Sequence, residues 1–170
     1  MDDQKRMEEY ILKTMDENNI GQKDWINGMM KAAPVSCSFD ERSITWSFPL
    51  QEWQSNRAGF LQGGIIAQAF DMVVSAVARF YAKTTFIPTV SMDIKFLKAV
   101  KMDDTIIVTA RALSVGRTIS HFILTAESKN TGNIVASGAA IYMSIDGPEK
   151  GKPRIESNVL KNIINNSDRF

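Results

Sequence analysis

The 170-residue chain is poor in the side chains that most site chemistry needs, with one cysteine, Cys37, and one histidine, His121. A single thiol excludes an internal disulfide, and one thiol plus one imidazole excludes a zinc centre built from several such ligands within the chain. A Ser-His-Asp triad is excluded unless His121 serves it. An excess of one charge is also missing. Twenty Lys and Arg stand against nineteen Asp and Glu, a formal net charge of +1, too balanced to supply the field that draws nucleic acid or an anionic membrane. Any polyanion must therefore be met by local cations. Nowhere do eighteen apolar residues run together, and Met1–Arg6 is acidic and polar rather than a basic stretch leading into an apolar run. The expectation is a soluble cytoplasmic protein with no nucleic-acid or membrane partner and no metal or other cofactor.

What the chain does have is apolar pattern. With 44% hydrophobic residues, it suits one packed domain rather than two. Met7, Tyr10, Ile11, Thr14 and Met15 recur at helical spacing among charges, and Asn18, Asn19 and Gly21 end that helix. A short amphipathic piece around Trp25, Ile26, Met29 and Met30 runs into Pro34, where helix stops. Beyond Pro34 the period becomes two: Val35–Phe39 and Ile44–Phe48 alternate around an Asp40-Glu41-Arg42 turn, which predicts a strand hairpin. Residues 63–83 hold the best helix, long, proline-free and evenly apolar. Four segments rich in β-branched residues follow, 89–97, 105–115, 118–128 and 134–144, with links short enough for an antiparallel meander. The boundaries read as an N-terminal helical extension over 1–33, a central domain over 34–145 and a tail over 146–170 with a short helix at 156–164. The fold class is α+β, a sheet wrapped around one long helix. Its open edges predict pairing into dimers or larger oligomers.

Two features of the central helix point to chemistry. At about 100° per residue, Gly64, Gln68, Asp71 and Ser75 share a narrow polar sector in an otherwise apolar helix. A solvent face of this length would carry more Lys and Glu. Asp71, the only carboxylate between Glu52 and Asp93, is a candidate base or nucleophile. Just before the helix lies Asn56-Arg57-Ala58-Gly59-Phe60-Leu61-Gln62-Gly63-Gly64. Two glycines at a helix start leave N–H groups that a carbonyl oxygen can approach with no Cβ in the way, the requirement of an oxyanion hole. Each feature has an ordinary reading as well: a solvated helix face, and turn geometry.

These residues are familiar as a set. Asn-Arg-x-Gly-x-x-x-Gly-Gly before a long helix with a central Asp, then Thr-Val-Ser-Met-Asp-Ile-Lys-Phe-Leu-Lys-Ala and later Val-Gly-Arg-Thr, resembles the hotdog-fold acyl-CoA thioesterases. The nearest subgroup is that of the phenylacetate-pathway and thioesterase-superfamily-member proteins. The resemblance covers roughly residues 35–144. It implies an antiparallel sheet around one helix and hydrolysis of an acyl-CoA to free CoA and a carboxylic acid. Carried over by position, it makes Asp71 the nucleophile or general base, and Gly63 with its neighbour Gly64 the donors that polarise the thioester carbonyl. Asn56 becomes a water-positioning residue and Ser91 a polar contact from the facing strand. Gln68 and Ser75, which share the polar sector with Asp71, are read as substrate-binding, and the resemblance puts Gly116-Arg117-Thr118 near the CoA phosphates, where Arg117 supplies a local cation. The site is implied to form between subunits of a homo-oligomer, Asp71 of one facing Asn56 and the glycines of another.

One position departs from the pattern. The family commonly reads His-Gly-Gly before the helix, whereas this chain reads Gln62-Gly63-Gly64. Gln62 can orient a substrate by hydrogen bonding but cannot take up a proton near neutral pH. The alternative function is therefore a non-catalytic acyl-CoA or lipid-acyl binding module. His121, on an alternating strand, is read as structural.

Overall fold

The computed structural model describes residues 2–82 and 87–144. The chain opens with α1 (Asp3–Asp16), a wide π-helical turn over Glu17–Gly21 and a single turn of helix, α2 (Ile26–Met29). A hairpin follows, β1 (Ala33–Ser38) and β2 (Ser43–Pro49), then α3 (Gly63–Ala82) and four strands. These are β3 (Thr89–Phe96), β4 (Thr105–Val115), β5 (Ile119–Ser128) and β6 (Ile134–Met143). The α+β class, the hairpin, the long helix and the four later strands are as the sequence predicts. The expected tail helix at 156–164 lies outside the described residues, as does Lys83.

Asn18, Asn19 and Gly21 do not end the first helix where expected. They widen it into the π turn, and Asn19 Nδ2 donates to the Ala32 carbonyl, tying that turn to the start of β1. Nor are residues 2–32 a separate layer. Met7 and Met30 are fully buried in the same core as Trp46 and Phe70. The Tyr10 and Phe80 rings lie 5.5 Å apart where α1 crosses the end of α3.

One face of the sheet is apolar. Ile44, Trp46 and Phe48 on β2, Ile106, Val108 and Ala110 on β4, and Phe122, Leu124 and Ala126 on β5 are all buried, following the period-two rule. They receive α3, of which ten of twenty residues are buried. By length and composition alone α3 could cross a membrane, but here the sheet curls around it. The small residues of β6 set how closely the helix approaches. An added Cβ at Gly138 would sit 3.3 Å from the Phe70 ring and 2.7 Å from the Asp93 carbonyl oxygen.

The strand order is β1-β2-β4-β5-β6-β3, every neighbouring pair antiparallel. This corrects the expected four-strand meander. Only β4, β5 and β6 follow one another, and β3 pairs with β6 at the far edge instead of with β4. The residues between β3 and β4 can span about 25 Å when extended, ample for the roughly 14 Å across three strand spacings. A short link therefore does not force adjacency. The crossing is pinned along its length: the N–H groups of Leu97 and Lys98 donate to the Val135 carbonyl, and Leu61 N–H donates to Val100.

The link ends at Asp104, a buried carboxylate. Its oxygens accept from the Ser128 hydroxyl at 2.5 Å and from the N–H groups of Thr105 at 2.7 Å and Asn130 at 3.1 Å. Burial alone would push this carboxyl up, but the Ser128 hydroxyl and the backbone donors together hold it below the ordinary carboxylate range. Because the folded value is the depressed one, the stabilisation is complete above the unfolded value, about pH 4, and is lost as pH falls below it. Asp104→Ala, which strands these donors, is expected to lower unfolding free energy by about 2 kcal/mol in urea titrations at pH 7. The loss should shrink toward zero well below pH 4 (~3 and lower), and a pH-independent loss would contradict the charge account.

Candidate functional site

The α3 start is prepared by the loop before it. Asn56 Oδ1 accepts from the N–H groups of Ala58 at 2.9 Å and Phe60 at 3.2 Å, and Asn56 N–H donates to the Phe60 carbonyl at 2.7 Å. Gly59 completes this tight loop with φ +78°, a conformation that other residues adopt at a cost. Asn56 thus spends its oxygen on the loop and keeps its Nδ2 donor. The Gln62 carbonyl accepts the Ile65 N–H at 2.9 Å, while the Gly63 and Gly64 N–H groups belong to the helix's first turn, where no intrahelical acceptor exists. An added Cβ at Gly63 would come 3.3 Å from the Phe96 ring, whereas one at Gly64 would meet nothing within 4 Å. Open depressions of about 630 and 330 Å³ flank this point, and Asn56 lines both. The Gln62 side chain is exposed in the first. A larger cavity, about 770 Å³, lies elsewhere, between α1 and the second half of α3.

Two turns further on, Asp71 is half-buried against the sheet edge formed by β6 and β3. Its Oδ1 accepts from the Tyr142 phenol at 2.5 Å and the Thr89 hydroxyl at 3.1 Å. Among the described residues no donor reaches Oδ2. Burial, and next the Asp71 carboxylate beside it, push the Tyr142 phenol far above its ordinary value. It therefore stays protonated and remains a donor throughout the physiological range.

The predicted polar sector is not one functional face. Gln68 Nε2 donates to Asn27 Oδ1 at 2.9 Å, toward α2, and Ser75 Oγ donates back to its own helix at the Met72 carbonyl. Only Asp71 turns to the sheet edge. Ser91 also falls elsewhere: it pairs with Ile141, which pairs in turn with the exposed His121, on the face away from α3. The register slips between Thr89 and Ser91, so the hydroxyl that reaches the carboxylate is that of Thr89. Gly116, Arg117 and Thr118 are exposed in the β4–β5 turn, closed by Gly116 N–H to the Ile119 carbonyl. The turn lies at the same end of the sheet as Tyr142 and Thr89, because Val115, Ser120, Tyr142 and Thr89 form one row across four strands. Cys37 is a poor nucleophile, since burial pushes its thiol up.

A family model described as Thioesterase superfamily matches residues 58–134, a span that runs from the loop before α3 to the start of β6. The chain has the hotdog fold, and its segment 58–134 is similar to the Thioesterase superfamily. Mouse acyl-coenzyme A thioesterase 13 is 26% identical over 89 residues, 52% of this chain. The matched stretch spans 64% of that relative's length. Among solved structures, zebra fish thioesterase superfamily member 2 superimposes with a TM-score of 0.66 at 23% identity, covering 79% of this chain and 94% of that one. A hypothetical thioesterase protein from Streptococcus pneumoniae, solved with coenzyme A, gives a TM-score of 0.61 at 17% identity over 67% of this chain and 85% of that one.

Within this hotdog domain, sequence reasoning missed Tyr142 and Thr89. The signal for Tyr142 was present: it is the one large polar side chain in a helix-facing row that otherwise reads Ala136, Gly138, Ala140, and a buried phenol needs an acceptor. Thr89 could not be read, because the strand's parity changes at the slip. The Asn56 assignment separates into two testable parts. Asn56→Ala is expected to lower stability by about 1 kcal/mol through the lost loop acceptor, while Asn56→Asp keeps the acceptor and holds the melting temperature near wild type. Equal destabilisation by both substitutions in thermal unfolding would refute this division.

Proposed function

We propose that this protein hydrolyses an acyl-CoA thioester at a site completed by a second copy of the chain. The carrying observation is the placement of Asp71 beneath an open sheet edge with one carboxylate oxygen uncommitted. Gly63 lies eight residues earlier on the same helix, about 12 Å away along its axis. That is too far for one thioester carbonyl to meet both Asp71 and the glycine N–H groups of one copy.

The edge strand supplies the missing step. β3 begins at Thr89, beside Asp71, and ends at Phe96, beside Gly63. Antiparallel pairing of two β3 strands about a twofold axis therefore brings Asp71 of one copy toward Gly63, Gly64 and Asn56 of the other. The edge is suited to such pairing: Val90, Phe96 and Leu97 are 52%, 56% and 54% exposed, an apolar edge of the kind monomers avoid. In the reaction, Asp71 Oδ2 takes a proton from water as the water oxygen bonds to the carbonyl carbon. The resulting oxyanion is held by the Gly63 and Gly64 N–H groups and the helix dipole. Collapse breaks the C–S bond, the departing CoA sulfur takes up the proton held on Asp71 and leaves as the thiol, and the carboxylic acid and the Asp71 carboxylate remain. Arg117, at the Thr89 end of the sheet, is the local cation for the CoA phosphates, and the coenzyme A in the Streptococcus structure supports that ligand class. Gln62 favours one alternative, a binding module that holds acyl-CoA without cleaving it, because nothing at that position takes up a proton.

Asp71→Asn is expected to cut thiol release from a panel of acyl-CoA substrates by about 10²–10⁴-fold with an unchanged melting temperature. Thermal stabilisation by acyl-CoA with no thiol release from the wild-type protein would select the binding module instead. The composite site has its own test. Asp71→Asn mixed with Asn56→Ala, after subunit exchange, should recover up to about a quarter of wild-type activity, since half the dimers are hybrids with one intact site of two. No recovery despite proven exchange would place the whole site within one chain.

A further inference from the structure

We propose that Tyr142 and Thr89 are positioning residues that fix which oxygen of Asp71 faces the substrate. This rests on the hydrolase reading above and extends it to two residues to which that reading gives no role. Both hydroxyls converge on the same atom, Oδ1, from adjacent strands on which they are direct partners. A carboxylate held by two donors on one oxygen loses its freedom to rotate about its own axis, and Oδ2 becomes the oxygen turned to the reacting water.

The surroundings are built to hold this arrangement. Tyr142 is 2% exposed and its ring stands edge-on to Phe122 at 5.7 Å and 83°, so the phenol cannot swing away. The β3 strand slips register immediately after Thr89. Further along, Met92 pairs with the buried Ala140 and Ile94 with Gly138, on the helix side. An unbroken alternation would place residue 90, a valine, on that side; the slip places Thr89 there instead, the use of bulges to re-aim a side chain. The alternative reading, that Asp71 merely satisfies a buried phenol, accounts for Tyr142 alone. It leaves unexplained why an exposed threonine is bent toward the same oxygen.

Steady-state kinetics with an acyl-CoA cleaved by the wild type, run on Asp71→Asn, Tyr142→Phe, Thr89→Val and Thr89→Ser, tests this. Tyr142→Phe keeps the ring and is expected to lower kcat about 10²-fold with KM within about twofold, since the carboxylate is misaimed and the binding surface is intact. Thr89→Val should lower kcat less, by about tenfold, and Thr89→Ser should restore it. If Asp71→Asn is inactive while Tyr142→Phe and Thr89→Val turn over within twofold of wild type, the positioning role is wrong and the hydrolase reading stands. If the wild type cleaves nothing, or Asp71→Asn is fully active, both fall together. Should Tyr142→Phe fail to fold, the Thr89→Val and Thr89→Ser pair decides, because Thr89 lies at the surface.

Discussion

The seating of Phe70 against Gly138 governs the placement of the site. The ring lies so close to β6 that an added Cβ at Gly138 would come within 3.3 Å of it, and this contact helps set the rotation of α3 and its height over the sheet. Asp71 is the next residue, turned about 100° around the helix axis. With Phe70 locked into the core, the carboxylate has no choice but to emerge at the β6–β3 margin, under Thr89 and against Tyr142.

The helix is consequently divided by function along its length rather than around its circumference. Its first turn offers backbone donors with free approach at Gly64, its middle carries the clamped carboxylate, and its last turns pack Phe80 on α1. The polar side chains that seemed a single stripe each answer a different neighbour: Gln68 answers α2, Asp71 the sheet edge and Ser75 its own backbone.

Much of this was legible in the sequence because it rests on local periodicity. The α3 helix, the first hairpin and the β4–β6 run follow from spacing and turn residues. What could not be read depends on pairing between distant segments. The place of β3 beside β6 is hidden because an eight-residue link does not specify a neighbour. The exchange of Ser91 for Thr89 is hidden because one slipped residue inverts which side chains face the helix. The N-terminal helix looked like an appendage because amphipathic spacing says that a helix has an inner face but not whose core that face enters.

The two margins of the sheet are treated differently. At β1, Pro34 lacks an N–H, the register slips between Pro34 and Ser36, and Gln4 from α1 occupies the Cys37 carbonyl and the Phe39 N–H. Each of these obstructs strand addition. β3 also slips register, between Thr89 and Ser91, but among the described residues it carries no proline and no side chain from another element holds its outer backbone groups. A ribbon with two receptive sides can go on adding neighbours into a fibre, whereas one with a single receptive side joins one partner and terminates. The N-terminal helix, besides covering the core, therefore closes one margin of the sheet to strand addition and leaves the other open.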